Sequence, residues 1–392
     1  MNELYFDNNA TTPLDEIVLQ GLKDALDRLY GNASSPHPKG EEARAEVERA
    51  RSSVAALLGA TSPTEIIFTS GGTESIHTAL HIALAQKTQG LALTSSVEHA
   101  AVLRPLEQWE QRQTNLVRIG VDGRGRLDTE RLLQSIETRK EPLHLVALLL
   151  ANNETGVLLP FDELEAISKA AREAGALVHL DAVQAPGKLP LQEILPQTDL
   201  LSLSAHKLHG PKGVGALFVR RGVSVPETSF LSGGPQEREL RAGTLNVPGI
   251  VGFGIACERA QEHLEDPAAR ETVRDMRDRL ESGLSDGIEG LLVHGLGSPR
   301  LDNTTNVGVP GIDGELLRMS LAAEGLCLSG GAACSANTQK PSPILIEMGV
   351  PEEIARASLR FSLSRLTKAE EVEKAIEITC RTVQALGAVA PS

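Results

Sequence analysis

Hydrophobic and polar positions through much of the chain alternate between short apolar runs and longer segments with helical spacing. Apolar side chains recur on one face over residues 41–58, and Gly59 follows where a C-terminal cap glycine is expected. The same spacing predicts a helix over 161–174. Short apolar runs predict strands at 65–69, 91–95, 145–150, 176–180 and 200–203. Strands that alternate with helices through short connections favour a mostly parallel sheet with helices on both faces.

The pattern changes after about residue 260. Residues 262–285 are charged with helical spacing, 299–305 are rich in turn formers, and 306–309 fit the start of a smaller sheet. A last helix is expected over about 368–386, followed by a loose tail at 387–392. We therefore expect an α/β chain of two domains that share one cleft.

Composition and charge narrow the class of protein. The 392 residues are 41% hydrophobic and 23% charged, as in ordinary globular proteins. A net charge of −14 and few aromatic residues argue against direct nucleic-acid binding, because an acidic surface repels phosphates and base stacking needs aromatic rings. No leader-like or membrane-spanning run is evident, and the four cysteines form no CxxC pair. We expect a cytoplasmic protein with reduced thiols and no membrane contact.

Three segments with candidate chemistry each follow a predicted strand. Residues 70–73, Ser-Gly-Gly-Thr, precede a helix and form either a phosphate site or an ordinary capped turn. Asp181 ends a strand, where it can face a ligand or cap a helix, and Lys207 is either a Schiff-base lysine or a solvated one. Pyridoxal 5′-phosphate needs an anion site, an acid opposite its ring nitrogen and an amine for its aldehyde. The three segments together therefore favour this cofactor, bound at the carboxyl ends of the strands.

Short motifs in a fixed order carry a resemblance that covers nearly the whole chain. They lie at residues 7–13, 31–37, 69–75, 98–99, 152–156, 179–184, 204–213, 241–244, 329–335 and 360–363. In this order they resemble the cysteine desulfurases of the class V aminotransferase family, in particular the NifS/IscS-like group. The resemblance implies pyridoxal-phosphate fold type I. A large domain over 15–261 would hold a mostly parallel seven-stranded sheet, and residues 1–14 and 262–392 would form a smaller α+β domain.

The resemblance also implies a role for each residue that would hold the cofactor. Lys207 would carry it as an internal aldimine, Asp181 would pair with the protonated ring nitrogen, and His99 would stack on the ring and carry a proton. Gln184 would contact the ring hydroxyl. The phosphate would be held by Gly72, Thr73, Ser204 and His206. No metal is implied.

Further residues would bind the substrate, complete the site and take up sulfur. Asn153 would contact the cofactor and, with Arg360, the carboxylate of L-cysteine. Thr244 would reach the phosphate of the neighbouring subunit, which implies a homodimer. Cys334 aligns with the nucleophile, in a small-residue loop at about 328–342 that can swing between the cofactor and a sulfur-acceptor protein. The other cysteines are expected to be packing residues: Cys257, Cys327 and Cys380.

The implied reaction converts L-cysteine to L-alanine and leaves a persulfide on Cys334. Iron–sulfur cluster assembly, tRNA thiolation, DNA phosphorothioation and cofactor synthesis would all begin with that persulfide. Alternatives within the family are a selenocysteine lyase, a cystine C–S lyase and a small-amino-acid aminotransferase. An alternative of another class is a non-catalytic sulfur-relay scaffold. Departures from the family pattern are Ala33, Ala205, Pro235 and Ala332; none of them removes a reactive group.

Overall fold

The computed structural model describes residues 3–87, 89–112, 114–330 and 340–387. Within these ranges the helices are α1 Glu16–Arg28, α2 Pro38–Leu58, α3 Gly72–Leu84, α4 Ala100–Glu110, α5 Thr129–Glu137, α6 Phe161–Glu173, α7 Val247–Glu265, α8 Pro267–Gly287, α9 Gly314–Ala323, α10 Pro343–Glu347, α11 Glu352–Arg356 and α12 Ala369–Gly387. The strands are β1 Leu4–Tyr5, β2 Ile66–Thr69, β3 Gly90–Ser95, β4 Thr114–Ile119, β5 Leu143–Leu149, β6 Leu177–Asp181, β7 Leu200–Ser204, β8 Gly215–Val219, β9 Leu292–Val293, β10 Thr304–Gly308, β11 Leu326–Cys327 and β12 Ser358–Ser362.

A seven-stranded sheet forms the centre of the fold, in the order β2-β8-β7-β6-β5-β3-β4. Strand β8 is antiparallel to both of its neighbours, and every other neighbouring pair is parallel. Leu145 and Ala147 of β5 pack with α3 and α4, whereas Val146 and Leu148 pack with α5 and α6. Successive side chains of a strand point to opposite faces, so helices cover both sides. The predicted mostly parallel seven-stranded sheet is confirmed.

The helices and strands of this sheet begin and end close to their predicted positions. Helix α2 starts at Pro38, where the His37 ring nitrogen Nδ1 accepts from the Gly40 N–H at 3.2 Å. It ends as expected at Gly59, which adopts a left-handed φ of 74°. The strand expected from residue 65 starts one residue later, because Pro63–Glu65 forms a 3-10 turn capped by Ser62.

Two smaller sheets lie outside the central one. Strand β10 pairs antiparallel with β9 and β12, and β1 pairs parallel with β11. Phe6, Leu317 and Phe361 belong to an apolar cluster that joins these strands to α8, α9 and α12. The N-terminal segment therefore packs with the C-terminal part of the chain. The boundaries 1–14, 15–261 and 262–392 stay a prediction.

The charged segment predicted as one helix over 262–285 is instead shared by two helices. Helix α7 ends at Glu265 and α8 begins at Pro267. Asp266 caps α8 by accepting from the N–H groups of Ala268 and Ala269. Proline lacks an N–H and is tolerated in the first turn of a helix but not in its interior, so one helix ends and a second begins at this point.

Two predicted features lie outside the described residues: Cys334 with most of its loop, and the tail from residue 388. Among the described helices, none combines the length and the apolar composition needed to cross a membrane.

Candidate active site

A cleft of about 500 Å³ opens at the carboxyl ends of the central strands. Leu149 of β5 lies beside Asp181 of β6, and Asp181 lies beside Ser202 of β7, so the residues that follow these strands meet at one edge. The cleft brings together all of the site residues expected from the sequence within the described part, apart from Thr244: Gly72, Thr73, His99, Asn153, Asp181, Gln184, Ser204, His206, Lys207 and Arg360.

One end of the cleft has the features of an anion site. Helix α3 begins there, and among the described residues no side chain caps the backbone N–H groups of its first turn. Ser204 is buried and its Oγ has no hydrogen-bond partner within the described structure. A Cβ on Gly72 would lie 2.8 Å from Cγ2 of Val183, so the backbone at this turn comes closer to its neighbours than a larger residue would permit. Free donors and a partnerless buried hydroxyl fit a bound phosphate.

Asp181 lies buried in the middle of the cleft wall. Its Oδ1 accepts from the Val183 N–H at 3.0 Å. Burial raises the pKa of its carboxyl, and the nearby His99 and Lys207 act in the opposite direction. A cationic N–H placed against this carboxylate would offset the cost of its burial. The position therefore suits a residue that holds a protonated ring nitrogen.

Lys207 follows β7 through a single 3-10 turn, Ala205–Lys207. Its Nζ donates to the backbone carbonyls of Asn9 at 2.5 Å and Ala10 at 2.8 Å. The N-terminal segment is held over the lysine because the Thr12 N–H donates to the His206 carbonyl at 3.0 Å. The sequence motifs included Asn9 and Ala10, but nothing in their pattern indicated that their carbonyls would meet the lysine.

The side chains of His99 and His206 are held in defined states. His99 caps α4, and its Nδ1 accepts from the Ala101 N–H at 3.1 Å. The neutral ring therefore carries its hydrogen on Nε2, which leaves a donor for the cleft. His206 contacts the Thr11 hydroxyl at 3.1 Å, and burial followed by the charges of Lys207 and Lys212 lowers its pKa to about 4. His206 is therefore neutral near pH 7 in the absence of an anion.

Arg360 enters the cleft from β12 with its side chain almost fully buried. One nitrogen donates to Asp7 Oδ1 at 2.7 Å and another to the Asn153 carbonyl at 3.0 Å. Within the described structure, Nε of Arg360 and Oδ1 of Asn153 have no partner. A guanidinium carries five donors, so a substrate carboxylate can share it with Asp7. Asp7, the counter-ion, lies in a motif quoted from the sequence but was not among the expected site residues.

Glu98 is a buried cleft residue that the sequence reasoning missed, although it precedes His99. Its Oε1 accepts from the Ser95 hydroxyl at 2.6 Å and the Leu149 N–H at 2.8 Å. Burial first, and then the charge of the neighbouring Asp181, raise the pKa of Glu98 to about 8. Ionising two neighbouring carboxyls inside a buried wall costs free energy. Glu98 is the one that stays protonated near pH 7, because its pKa lies above that value.

The remaining expected residues lie away from the cleft or outside the described part. Thr244 is exposed and does not line the cleft of its own chain. Cys257 is buried in α7, as predicted, and burial raises the pKa of its thiol well above the usual value. Cys327 and Cys380 are only partly buried, and the pKa of each thiol is raised mainly by that burial. Each of these three thiols thus has less thiolate than a free cysteine at neutral pH.

Comparison with known proteins gives consistent matches. The model of the class-V aminotransferase family matches residues 4–375. The chain is 44% identical to cysteine desulfurase 2 of Trichormus variabilis, over all of this chain and 96% of that protein. It is 44% identical to a cysteine desulfurase of Enterobacter agglomerans, over 96% of this chain and 92% of that protein. A solved NifS-like protein matches with a TM-score of 0.87 and 36% identity, over 98% of this chain and 100% of that one.

Proposed function

Because the chain belongs to the class-V aminotransferase family and is a cysteine desulfurase, we propose that the cleft binds pyridoxal 5′-phosphate on Lys207. In this proposal L-cysteine is bound beside the cofactor, and its sulfur passes to Cys334. The observation that carries the proposal is that one cleft holds the free N-terminus of α3, the buried Asp181 and the Lys207 amine together. These are an anion site, an acid and an amine, the three groups that this cofactor requires.

The described residues fit the cofactor at three points. The N–H groups of α3 with Thr73, Ser204 and His206 would hold the phosphate, and an anion there would supply the partner that Ser204 Oγ lacks. Asp181 would hold a proton on the ring nitrogen. When bound, the cofactor supplies an electron sink for charge that develops at the substrate Cα and Cβ.

Four residues of the chain would bind the substrate and move its protons. Arg360 and Asn153 would orient the cysteine carboxylate through the donors of the guanidinium and amide. The Nζ of Lys207 would take the proton from Cα and return it. His99 would offer the hydrogen on its Nε2 to the cofactor or the substrate.

Cys334 would receive the sulfur as a thiolate nucleophile. A bond forms between its Sγ and the substrate sulfur while the Cβ–S bond of the substrate breaks. The electron pair left on Cβ takes up a proton, so the organic product is L-alanine and the protein carries a persulfide. A protein thiol would then accept the outer sulfur. Two parts of the proposal concern the surroundings: a homodimer in which the exposed Thr244 reaches the neighbouring site, and a cytoplasmic location.

The lysine assignment is tested by replacing Lys207 with Ala and measuring visible absorbance after addition of pyridoxal 5′-phosphate. We expect the variant to lose both the yellow absorbance and alanine formation from L-cysteine, because among the described residues that line the cleft Lys207 is the one lysine. Lys212→Ala, at an exposed lysine of the same segment, is the matched control and should retain both. Alanine release by the Lys207→Ala variant would refute the assignment.

A further inference from the structure

A second lysine, Lys188, contacts two residues that line the cleft, Gln184 and Asn9, and none of the chemistry above uses it. Lys188 comes seven residues after β6 ends at Asp181, and its amine is buried. Its Nζ donates to Oε1 of Gln184 at 3.0 Å and is 3.4 Å from Oδ1 of Asn9. Burying an amine costs free energy unless its hydrogens are bound, and here two side-chain oxygens accept them.

The contact with Lys188 decides which way the Gln184 amide points. A lysine amine donates hydrogen bonds whether it is protonated or neutral, so it must face the amide oxygen rather than the nitrogen. The Gln184 nitrogen in turn donates to the Asn9 carbonyl at 2.9 Å. The amide oxygen could not take the place of the nitrogen there, because it has no hydrogen to donate. The nitrogen has two hydrogens, so one remains for the cleft that Gln184 lines.

We propose that Lys188 is a positioning residue of this active site, whose amine fixes the Gln184 amide so that its nitrogen donates to the ring oxygen of the cofactor. This inference rests on the proposed function, because the ring oxygen belongs to pyridoxal 5′-phosphate. The chain adds a second support for the same geometry, since Asn303 also donates to Asn9 Oδ1 at 3.2 Å and keeps Asn9 in place.

The electrostatic surroundings of Lys188 are compatible with this role. Burial, followed by the charges of Lys207 and Arg360, lowers the pKa of Lys188 to about 7. His209 lies close enough for the charge of Lys188 to lower the pKa of its ring. A neutral amine retains two N–H hydrogens, enough for Gln184 and Asn9, so the amide orientation holds on both sides of neutrality.

The test compares Lys188→Met, Gln184→Ala and the double variant with the unaltered protein. Methionine retains the length of the side chain and removes the donors. Two quantities are measured: the dissociation constant of pyridoxal 5′-phosphate by absorbance titration, and the pH at the midpoint of the change in visible absorbance. Lys188→Arg, which retains donors and charge, is the conservative control. The same set of single and double variants is also made with Lys188→Gln, so that the comparison can be completed if the methionine variant does not fold.

Loss of the amide donor destabilises the anionic form of the ring oxygen, so we expect the midpoint pH to rise. Lys188→Met should also weaken cofactor binding about fivefold, the value of one net hydrogen bond, and Lys188→Arg should restore both quantities. In the Gln184→Ala background the lysine substitution should change neither.

An unchanged midpoint and affinity in Lys188→Met would overturn the inference, and so would an equal effect with and without Gln184, which would show that the charge of Lys188 acts directly. Failure of the unaltered protein to bind the cofactor would refute the proposed function instead.

Discussion

The buried ion pair between Arg51 of α2 and Glu237, beside strand β2, leads to a prediction about the free energy of unfolding. Two guanidinium nitrogens of Arg51 donate to the Glu237 carboxylate at 2.7 and 2.8 Å, and one also donates to the Ile66 carbonyl at 2.8 Å. Glu237 further accepts from the Phe68 N–H at 2.6 Å. Both side chains are almost excluded from solvent. This pair anchors the turn at 237–239, where three successive residues have left-handed φ values of 46°, 58° and 65°.

Replacing Arg51 with Met retains the aliphatic stem and removes every donor. Of the donors just described, the buried Glu237 carboxylate would then keep the Phe68 N–H alone, and the left-handed turn would lose its anchor. Breaking a buried pair from one side costs about 3–5 kcal/mol of unfolding free energy. We therefore expect a loss of that size for Arg51→Met. For the double variant Arg51→Met with Glu237→Gln, we expect a smaller loss of unfolding free energy than the sum of the losses in the two single variants.

The assay is urea unfolding of the cofactor-free protein followed by far-UV circular dichroism, at one protein concentration because association shifts apparent stability. The matched control is Arg279→Met, which removes an equally short but solvent-exposed pair with Glu373. We expect that control to unfold at nearly the same urea concentration as the unaltered protein. If Arg51→Met were no more destabilising than Arg279→Met, the argument from burial would be wrong.

Two further predictions concern the cleft. Ser204→Ala removes a buried hydroxyl that has no partner in the described structure, so the unfolding temperature of the cofactor-free protein should not fall. Pyridoxal 5′-phosphate should bind the variant about fivefold more weakly, because one hydrogen bond to its phosphate is lost. A lower unfolding temperature with unchanged cofactor affinity would contradict the phosphate site. Glu98 has a pKa of about 8 in the folded protein, above its value in the unfolded chain, so the folded state binds the extra proton and stability falls as pH rises from about 5 to 8. The Glu98→Gln variant should lack that part of the decline in stability. If the unfolding temperatures of the variant and the unaltered protein fell by the same amount across this pH range, the raised pKa of Glu98 would be refuted.

The elements of the central sheet were predictable because their signals are local. Apolar runs marked β5 and β7, and Gly59 marked the end of α2. The sequence also contains the signal for the helix boundary, Pro267, but the charged helical pattern continues on both sides of it, so one helix was predicted where there are two. Propensity and periodicity therefore located the framework to within a few residues.

The environment of each site residue was not predictable in the same way. The carbonyls of Asn9 and Ala10 meet Lys207 across nearly 200 residues of sequence, and the orientation of Gln184 depends on Lys188 and Asn9 together. Such contacts arise from the packing of distant segments, for which neither periodicity nor spacing carries a signal. The motifs predicted which residues share the cleft; the structure adds how each one is held.

A single-turnover reaction of the purified, cofactor-loaded protein with L-cysteine decides whether Cys334 takes up the substrate sulfur. Alanine and pyruvate are quantified, and the persulfide is mapped by mass spectrometry. We expect alanine without pyruvate and one persulfide per alanine, located on Cys334, with Cys334→Ser retaining the cofactor absorbance but forming no persulfide. Pyruvate as the main product, or a persulfide on Cys327 instead of Cys334, would contradict the account.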